Sequence, residues 1–334
     1  MFKWKARLQN MELKHKVKSI INGGNWKAPE IPASIPHGDM PGDKVEIGEV
    51  HIKKANTIFP QLLLKLSEVV KEQETEKVVL TVCGGSGVGK SEIASLLSYY
   101  LNQHGIGSYT LSGDNYPHRI PKYNDAERLH VFRESAIKAM VKAGTFTEER
   151  FKVIHRLQKE QDDANAAHTK EYSWYESYLL GGRAGLKNYL GTEKEIAFKD
   201  IEEILTQFKS GKEEIWLKRM GRDDAELWYG KVDFSGVNVL IIEWTHGNSG
   251  NYQGVDIPIL LNSTPEETLA HRRARNRDGA TDSPFTAMVL ELEQAMLEAQ
   301  AHKALIILSK SGELLSYEQY CRQMEESRGG SHEQ

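Results

Sequence analysis

The stretch Lys77-Val78-Val79-Leu80-Thr81-Val82-Cys83 runs directly into Gly84-Gly85-Ser86-Gly87-Val88-Gly89-Lys90-Ser91, and then into Glu92 to Leu101 with apolar residues at helical spacing. A β-branched run, a glycine-rich turn and a helix, in that order, are the context that the phosphate-binding loop G-x-x-x-x-G-K-[ST] requires. Glycines let the backbone curl until successive N–H groups point at phosphate oxygens, and the helix that follows adds its positive N-terminal end. Lys90 is placed to reach β- and γ-phosphates, and the Ser91 hydroxyl to bind Mg²⁺. A chain built on this unit folds as an α/β protein with a nucleoside triphosphate site.

At 334 residues the chain is long enough for one large domain or two ordinary ones. The formal net charge of -4 gives no electrostatic reason to expect nucleic acid or an anionic membrane as partner. Two cysteines, Cys83 and Cys321, argue against a disulfide framework and suit a cytoplasmic protein. The basic start, Met1 to Arg7, leads into polar sequence rather than an apolar segment, so no signal peptide is expected, and no run approaches the length of a membrane span. A homo-oligomer is allowed.

Residues 1–75 read as an N-terminal helical and extended arm. Within it, Asn22 to Asp43 is rich in Gly and Pro and reads as a surface linker, or alternatively as an ordered cover over the site. Phe59 to Gln73 reads as an amphipathic helix with Pro60 in its first turn. Strands are expected at Gly107–Asp114, Val237–Glu243, Asp256–Leu261 and Ala304–Leu308, with a short one at Glu214–Leu217. A helical insert, 126–191, carries an aromatic cluster at Tyr172 to Tyr178 that reads as packing, and it ends in a glycine-rich link at Gly181 to Gly185. Residues 76–310 then form the main domain, and 311–334 a C-terminal helix and tail.

Phosphoryl transfer to a hydroxyl needs a base, a metal anchor and cations on the transferring group. The sequence offers Asp114 after the second strand, Glu243 after the third core strand, and arginines at 272, 273, 275 and 277 after the fourth. In open α/β sheets, ligands bind at the carboxyl ends of the strands, which is where both carboxylates fall. A GTPase switch is disfavoured, because Asp233-Phe234-Ser235-Gly236 precedes a strand and no N-K-x-D occurs. His118, Arg119 and Lys122 follow Asp114 in one loop and are candidate substrate contacts, with Tyr116 and Arg133 beside them.

These residues resemble the uridine kinase and phosphoribulokinase family. The resemblance rests on Gly84 to Ser91, Asp114-Asn115-Tyr116, Phe198-Lys199-Asp200-Ile201 through Lys212, Val239 to Glu243, and Arg272 to Asp278. It covers 77–125 and 196–310, and the family's usual Glu-Gly pair is Glu243-Trp244 here. It implies a doubly wound, mostly parallel five-stranded sheet of the P-loop NTPase kinase type, with a helical insert. It also implies an ATP- and Mg²⁺-dependent phosphotransferase acting on a hydroxyl of a small metabolite: a nucleoside, sugar, sugar phosphate or polyol. By carry-over, Asp114 is the base, Lys90 and the arginines Arg273 and Arg277 act on the phosphates, and Ser91 and Glu243 hold the metal. Ser112-Gly113-Asp114-Asn115 also resembles adenylylsulfate kinases, which is the alternative enzyme reading. A non-catalytic ATP-binding regulator is the alternative outside enzymes.

Overall fold

The computed structural model describes residues 12–23, 26–73, 75–275 and 283–329. Two helices, α1 (Leu13–Asn22) and α2 (Glu49–Gln73), precede strand β1 (Val78–Gly84) and the loop helix α3 (Lys90–Gln103). β2 (Ser108–Ser112) leads into α4 (Pro121–Lys142), α5 (Glu148–Lys159), the single turn α6 (His168–Glu171), α7 (Tyr175–Lys187) and α8 (Phe198–Lys209). The second half runs β3 (Glu214–Met220), β4 (Leu227–Asp233), β5 (Val239–Glu243), β6 (Ile257–Leu261), α9 (Pro265–Arg275), α10 (Pro284–Gln300), β7 (Ile306–Leu308), β8 (Leu314–Leu315) and α11 (Tyr317–Gly329).

The main sheet has the order β2-β5-β1-β6-β7-β8. The first five strands are mutually parallel, as expected, and β8 adds a short antiparallel edge that two residues could not announce in the sequence. β1 lies at the centre and is buried along its whole length, which is why it reads as an unbroken apolar run rather than an alternating one. The register sets Val82 and Ser112 on either side of Glu243. The carboxyl ends of β1, β2 and β5 therefore converge beside the glycine-rich loop, where an open sheet binds ligands.

Four local readings change. Pro60 does not start a helix but sits inside α2. An interior proline costs about 3 kcal/mol, yet Ala55, Ile58, Phe59, Leu62, Leu63 and Leu66 bracket it in one buried cluster. Burial of several such side chains, each worth about 1.5–3 kcal/mol, outweighs that loss. The expected N-terminal arm is core in its described helical part: Leu13, Val17 and most of α2's apolar face pack with β1 and α3. β4 was unread, and it pairs with β3 as a separate antiparallel hairpin whose Trp216, Trp228 and Tyr229 are exposed.

The fourth change concerns Gly181 to Gly185, which is not a link but the middle of α7. A Cβ on Gly181 would lie 2.1 Å from the Ala139 Cβ, and one on Gly185 would lie 2.0 Å from the Ser135 Oγ. The glycines thus let α7 approach α4 more closely than any side chain would allow. The insert's ends return beside one another, through Ala197 N donating to the Tyr116 carbonyl and His118 N to that of Glu195, both at 2.9 Å. Its aromatic residues Tyr175 and Tyr178 are fully buried, as the packing reading expects. Among the described residues, no helix is long and apolar enough to cross a membrane.

The close approach of α7 to α4 has a testable cost. Gly181→Leu should destabilise the protein by about 1–3 kcal/mol, the usual penalty for overpacking, despite leucine's better helix propensity. A urea midpoint unchanged from wild type would show that the two helices tolerate separation.

Candidate active site

Gly87 and Gly89 adopt φ of +78° and +97°, left-handed values that favour glycine, and Gly89 leads directly into α3. A Cβ on Gly84 would meet the Leu261 carbonyl oxygen at 2.7 Å, so the loop leaves the sheet through a gap only glycine fits. Val88 is buried beneath the loop. The Lys90 ammonium folds back to donate to the Gly85 carbonyl at 3.0 Å, spanning the mouth of the loop.

Behind the loop, the Ser91 hydroxyl donates to Glu243 Oε2 at 3.0 Å and the Ser112 hydroxyl to Oε1 at 2.6 Å. Glu243 is 4% exposed. Burial pushes its carboxyl well above the usual range and the charge of Asp114 adds to the rise, while the bond from Ser112 and the charge of Lys90 oppose it. A buried carboxylate beside the loop serine fits a hard divalent cation, whose arrival would displace the carboxyl proton. Among the described residues, no group of three or more His, Cys, Asp and Glu could hold a metal by itself. A cation at Ser91 and Glu243 would therefore complete its shell with nucleotide or water oxygens.

The stretch that read as linker or cover is a cover where it reaches this site. A Cβ on Gly38 would lie 3.4 Å from Glu243 Oε1. Asp39 accepts from Ser112 N at 2.8 Å, from the Tyr109 hydroxyl at 2.9 Å and from Asn115 Nδ2 at 3.1 Å, and it pairs with Arg219 at 2.9 Å. His51 of α2 lies against Gly89. No local sequence signal joins Asp39 to Arg219, since the pairing is made by the fold.

Asp114 stands on the single turn that follows β2, exposed, at the wall of a cavity of about 430 Å³. The cavity reaches from Ser86 of the glycine-rich loop to α4 and α10, with Trp244, Thr245 and His246 on the β5 side. Burial lowers the His246 pKa to about 4, which keeps its ring neutral near pH 7. Of the expected substrate contacts, only Arg133 borders this cavity, and it is held by Asp163 through Nε at 2.9 Å and Nη2 at 2.7 Å. Tyr116 is packed in the core, 1% exposed. His118 bonds to the Glu193 carbonyl, Arg119 bonds to Tyr189 and pairs with Glu127, and Lys122 lies over the Tyr123 ring. These three face outward because the chain turns into α4 immediately after the loop.

The arginine register also shifts. Arg272, not Arg273, lies on the glycine-rich loop: a Cβ on Gly87 would meet its Cγ at 3.1 Å, and its guanidinium donates to the Pro265 carbonyl and to Thr268. Arg273 is exposed. Arg277 lies outside the described residues. Each arginine in so dense a run satisfies the same spacing, so the sequence could not choose the inward one.

Residues 61–161 match the Zeta toxin family model. Over 243 residues, 73% of the chain, the sequence is 40% identical to the bifunctional alpha-galactosidase/sucrose kinase AgaSK of Mediterraneibacter gnavus. The match spans 21% of that relative's length. Among solved structures, a candidate fructose transport system kinase from Silicibacter sp. TM1040 aligns with 72% of this chain and 94% of its own, at 14% identity and a TM-score of 0.43. A candidate uridine kinase from Bacillus stearothermophilus aligns with 74% of this chain and 98% of its own, at 14% identity and a TM-score of 0.37. Loop, strand order and the paired Ser91 and Glu243 decide the matter. The chain has a P-loop α/β fold.

One cluster of charged residues around the cavity escaped sequence reasoning. Arg128 donates from Nε to Glu195 Oε1 at 2.6 Å and pairs with Glu293 at 3.4 Å, which ties α4, the end of the insert and α10 together around the cavity. These residues lie on separate elements, so no motif spacing links them.

The raised Glu243 carboxyl yields a measurable sign. Because its folded pKa exceeds the unfolded value, it favours the fold most below the unfolded pKa of about 4.3, and that contribution is lost as pH rises through the folded value. In EDTA, the stability of wild type relative to Glu243→Gln should therefore fall as pH is raised from about 4 to 8, by at least about 2 °C in melting temperature. Parallel melting curves across that range would overturn the burial argument.

Proposed function

We propose that this protein is an ATP- and Mg²⁺-dependent kinase that transfers the γ-phosphoryl group to a hydroxyl of a small carbohydrate. One observation carries the reading: Ser86 of the phosphate-binding loop and Asp114 border the same cavity. An acceptor in that cavity meets a carboxylate base on one side and the donor loop on the other, which is the juxtaposition phosphoryl transfer requires.

Asp114 would accept the acceptor's hydroxyl proton as its oxygen attacks. The loop N–H groups and Lys90 would hold the β- and γ-phosphates, with the Lys90 ammonium leaving the Gly85 carbonyl to reach them. Ser91 and Glu243 would hold the metal, whose charge offsets that of the phosphates. Arg272 lies nearest the loop among the described arginines of α9 and is the first candidate for the charge that develops in transfer. The walls of α4 and α10 around the cavity would keep water from competing with the acceptor. The relative named as a sucrose kinase supports a sugar as acceptor, and it gives no support to the adenylylsulfate alternative.

The test is coupled ADP release from MgATP against nucleosides, mono- and disaccharides, polyols and adenylylsulfate. Carbohydrate-dependent ADP release is the expected result, and release that no acceptor stimulates would overturn the reading. Asp114→Asn should lower kcat by roughly 10²–10⁴-fold, the range of general base catalysis, with nucleotide affinity retained. Lys90→Ala should instead weaken nucleotide binding itself in calorimetry.

A further inference from the structure

The C-terminal end of α5 departs from a pattern that other helices of the chain keep. Helices α3, α4 and α8 close with the same two backbone bonds, as in Gly144 N to the Val141 carbonyl at 3.1 Å and Thr145 N to that of Met140 at 2.9 Å. The turning residue is glycine in all three, Gly105, Gly144 and Gly211, at φ of +75°, +66° and +80°, because a side chain costs energy in the left-handed region. α5 makes the same pair of bonds, Gln161 N to Gln158 at 3.3 Å and Asp162 N to Leu157 at 3.0 Å, but its turning residue is Gln161 at φ +56°. Among the described residues, Gln161 is the one non-glycine with a positive φ. Its side chain is exposed and makes no hydrogen bond to any described residue, so nothing in the fold offsets the strain.

Gln161 borders the cavity that holds Ser86 and Asp114 in its wall, and it does so at the opposite end. α4 lines that cavity from Asn124 to Arg133, a helical rise of roughly 13 Å. α10 runs against α4, with Glu293 at 3.4 Å from Arg128 and the Phe285 ring 5.7 Å from that of Phe132. Glu293 marks the loop end, since it and Ser86 also border a second, smaller cavity together. Arg133 marks the far end, where it is held by Asp163, two residues beyond Gln161. Backbone strain kept at the wall of a ligand cavity points to a binding role. A side-chain amide both donates and accepts, which suits sugar hydroxyls that do the same. An acceptor whose reacting hydroxyl meets Asp114 has to extend beyond one sugar ring to touch Gln161.

We propose that the acceptor is a carbohydrate of two rings and that Gln161, through its side-chain amide, recognises the ring remote from the transferred phosphoryl group. The proposal rests on the assignment of this cavity as the acceptor side of a kinase, and it narrows the small carbohydrate to one class. It also accounts for a glutamine where the fold alone favours glycine.

Calorimetry in the presence of MgADP and coupled ADP release from MgATP, both on the full chain, separate the two claims. Sucrose and maltose are compared with their component sugars, glucose and fructose. At least one disaccharide should bind about tenfold more tightly, or better, than its component sugars. Gln161→Gly should raise the melting temperature by about 2 °C and yet shrink that ratio about three- to tenfold, the range of one neutral hydrogen bond. Gln161→Ala should shrink the ratio to the same extent without the thermal gain, because alanine keeps the strained φ. If a disaccharide binds with this dependence on Gln161 but is not phosphorylated, the kinase reading fails and the recognition stands. The recognition is overturned if neither disaccharide binds more tightly than its component sugars. It is likewise overturned if both variants keep the wild-type ratio, since a glutamine with only a structural role would move the melting temperature alone.

Discussion

One carboxylate ties the working parts together. Glu243 ends the strand beside β1 and receives hydroxyls from Ser91, at the start of the loop helix, and from Ser112, at the end of β2. A buried acidic group that accepts from two neighbouring elements fixes both ends relative to the sheet. The same burial makes the site costly to leave empty of charge compensation, because an ionised carboxylate there has no full counter-ion among its bonded partners. The geometry that aligns the loop with the second strand is thus the geometry that calls for a cation.

The glycine-rich loop and the two carboxylates at the strand ends were legible because their signals are local. Gly84 to Ser91 must be contiguous to curl around a phosphate, and Asp114 and Glu243 each follow an apolar run that announces a parallel strand. The cavity is assembled from α4, the end of the insert, the residues after β5 and α10, with partners such as Arg128 and Glu293 far apart along the chain. Polar residues on helices read as solvated faces until the fold shows what they surround. Spacing could suggest that an arginine of the 272–277 run meets the loop, but only the direction of α9 selects Arg272.

Where the sequence misled, tertiary packing overrode local signals. Pro60 reads as a helix start, yet the buried face of α2 continues through it. Gly181 to Gly185 reads as a flexible connection, yet glycine is what a tight helix crossing needs. The Gly/Pro-rich stretch before α2 is held in place by Asp39, a single buried acid bonded to the end of β2 and to Arg219 of the hairpin. A surface arm and an ordered cover have the same composition, and one well-placed carboxylate makes the difference.

The insert leaves the sheet after Tyr116 and comes back at Ala197, the two points joined by a backbone bond of 2.9 Å. A loop whose ends already touch imposes little on the scaffold that carries it. The helices between those points can change in length and sequence while the phosphate loop, Ser91 and Glu243 stay where they are. The part of the cavity wall that this stretch supplies, with Arg128, Arg133 and Asp163, is therefore separable along the chain from the glycine-rich loop, Ser91 and Glu243.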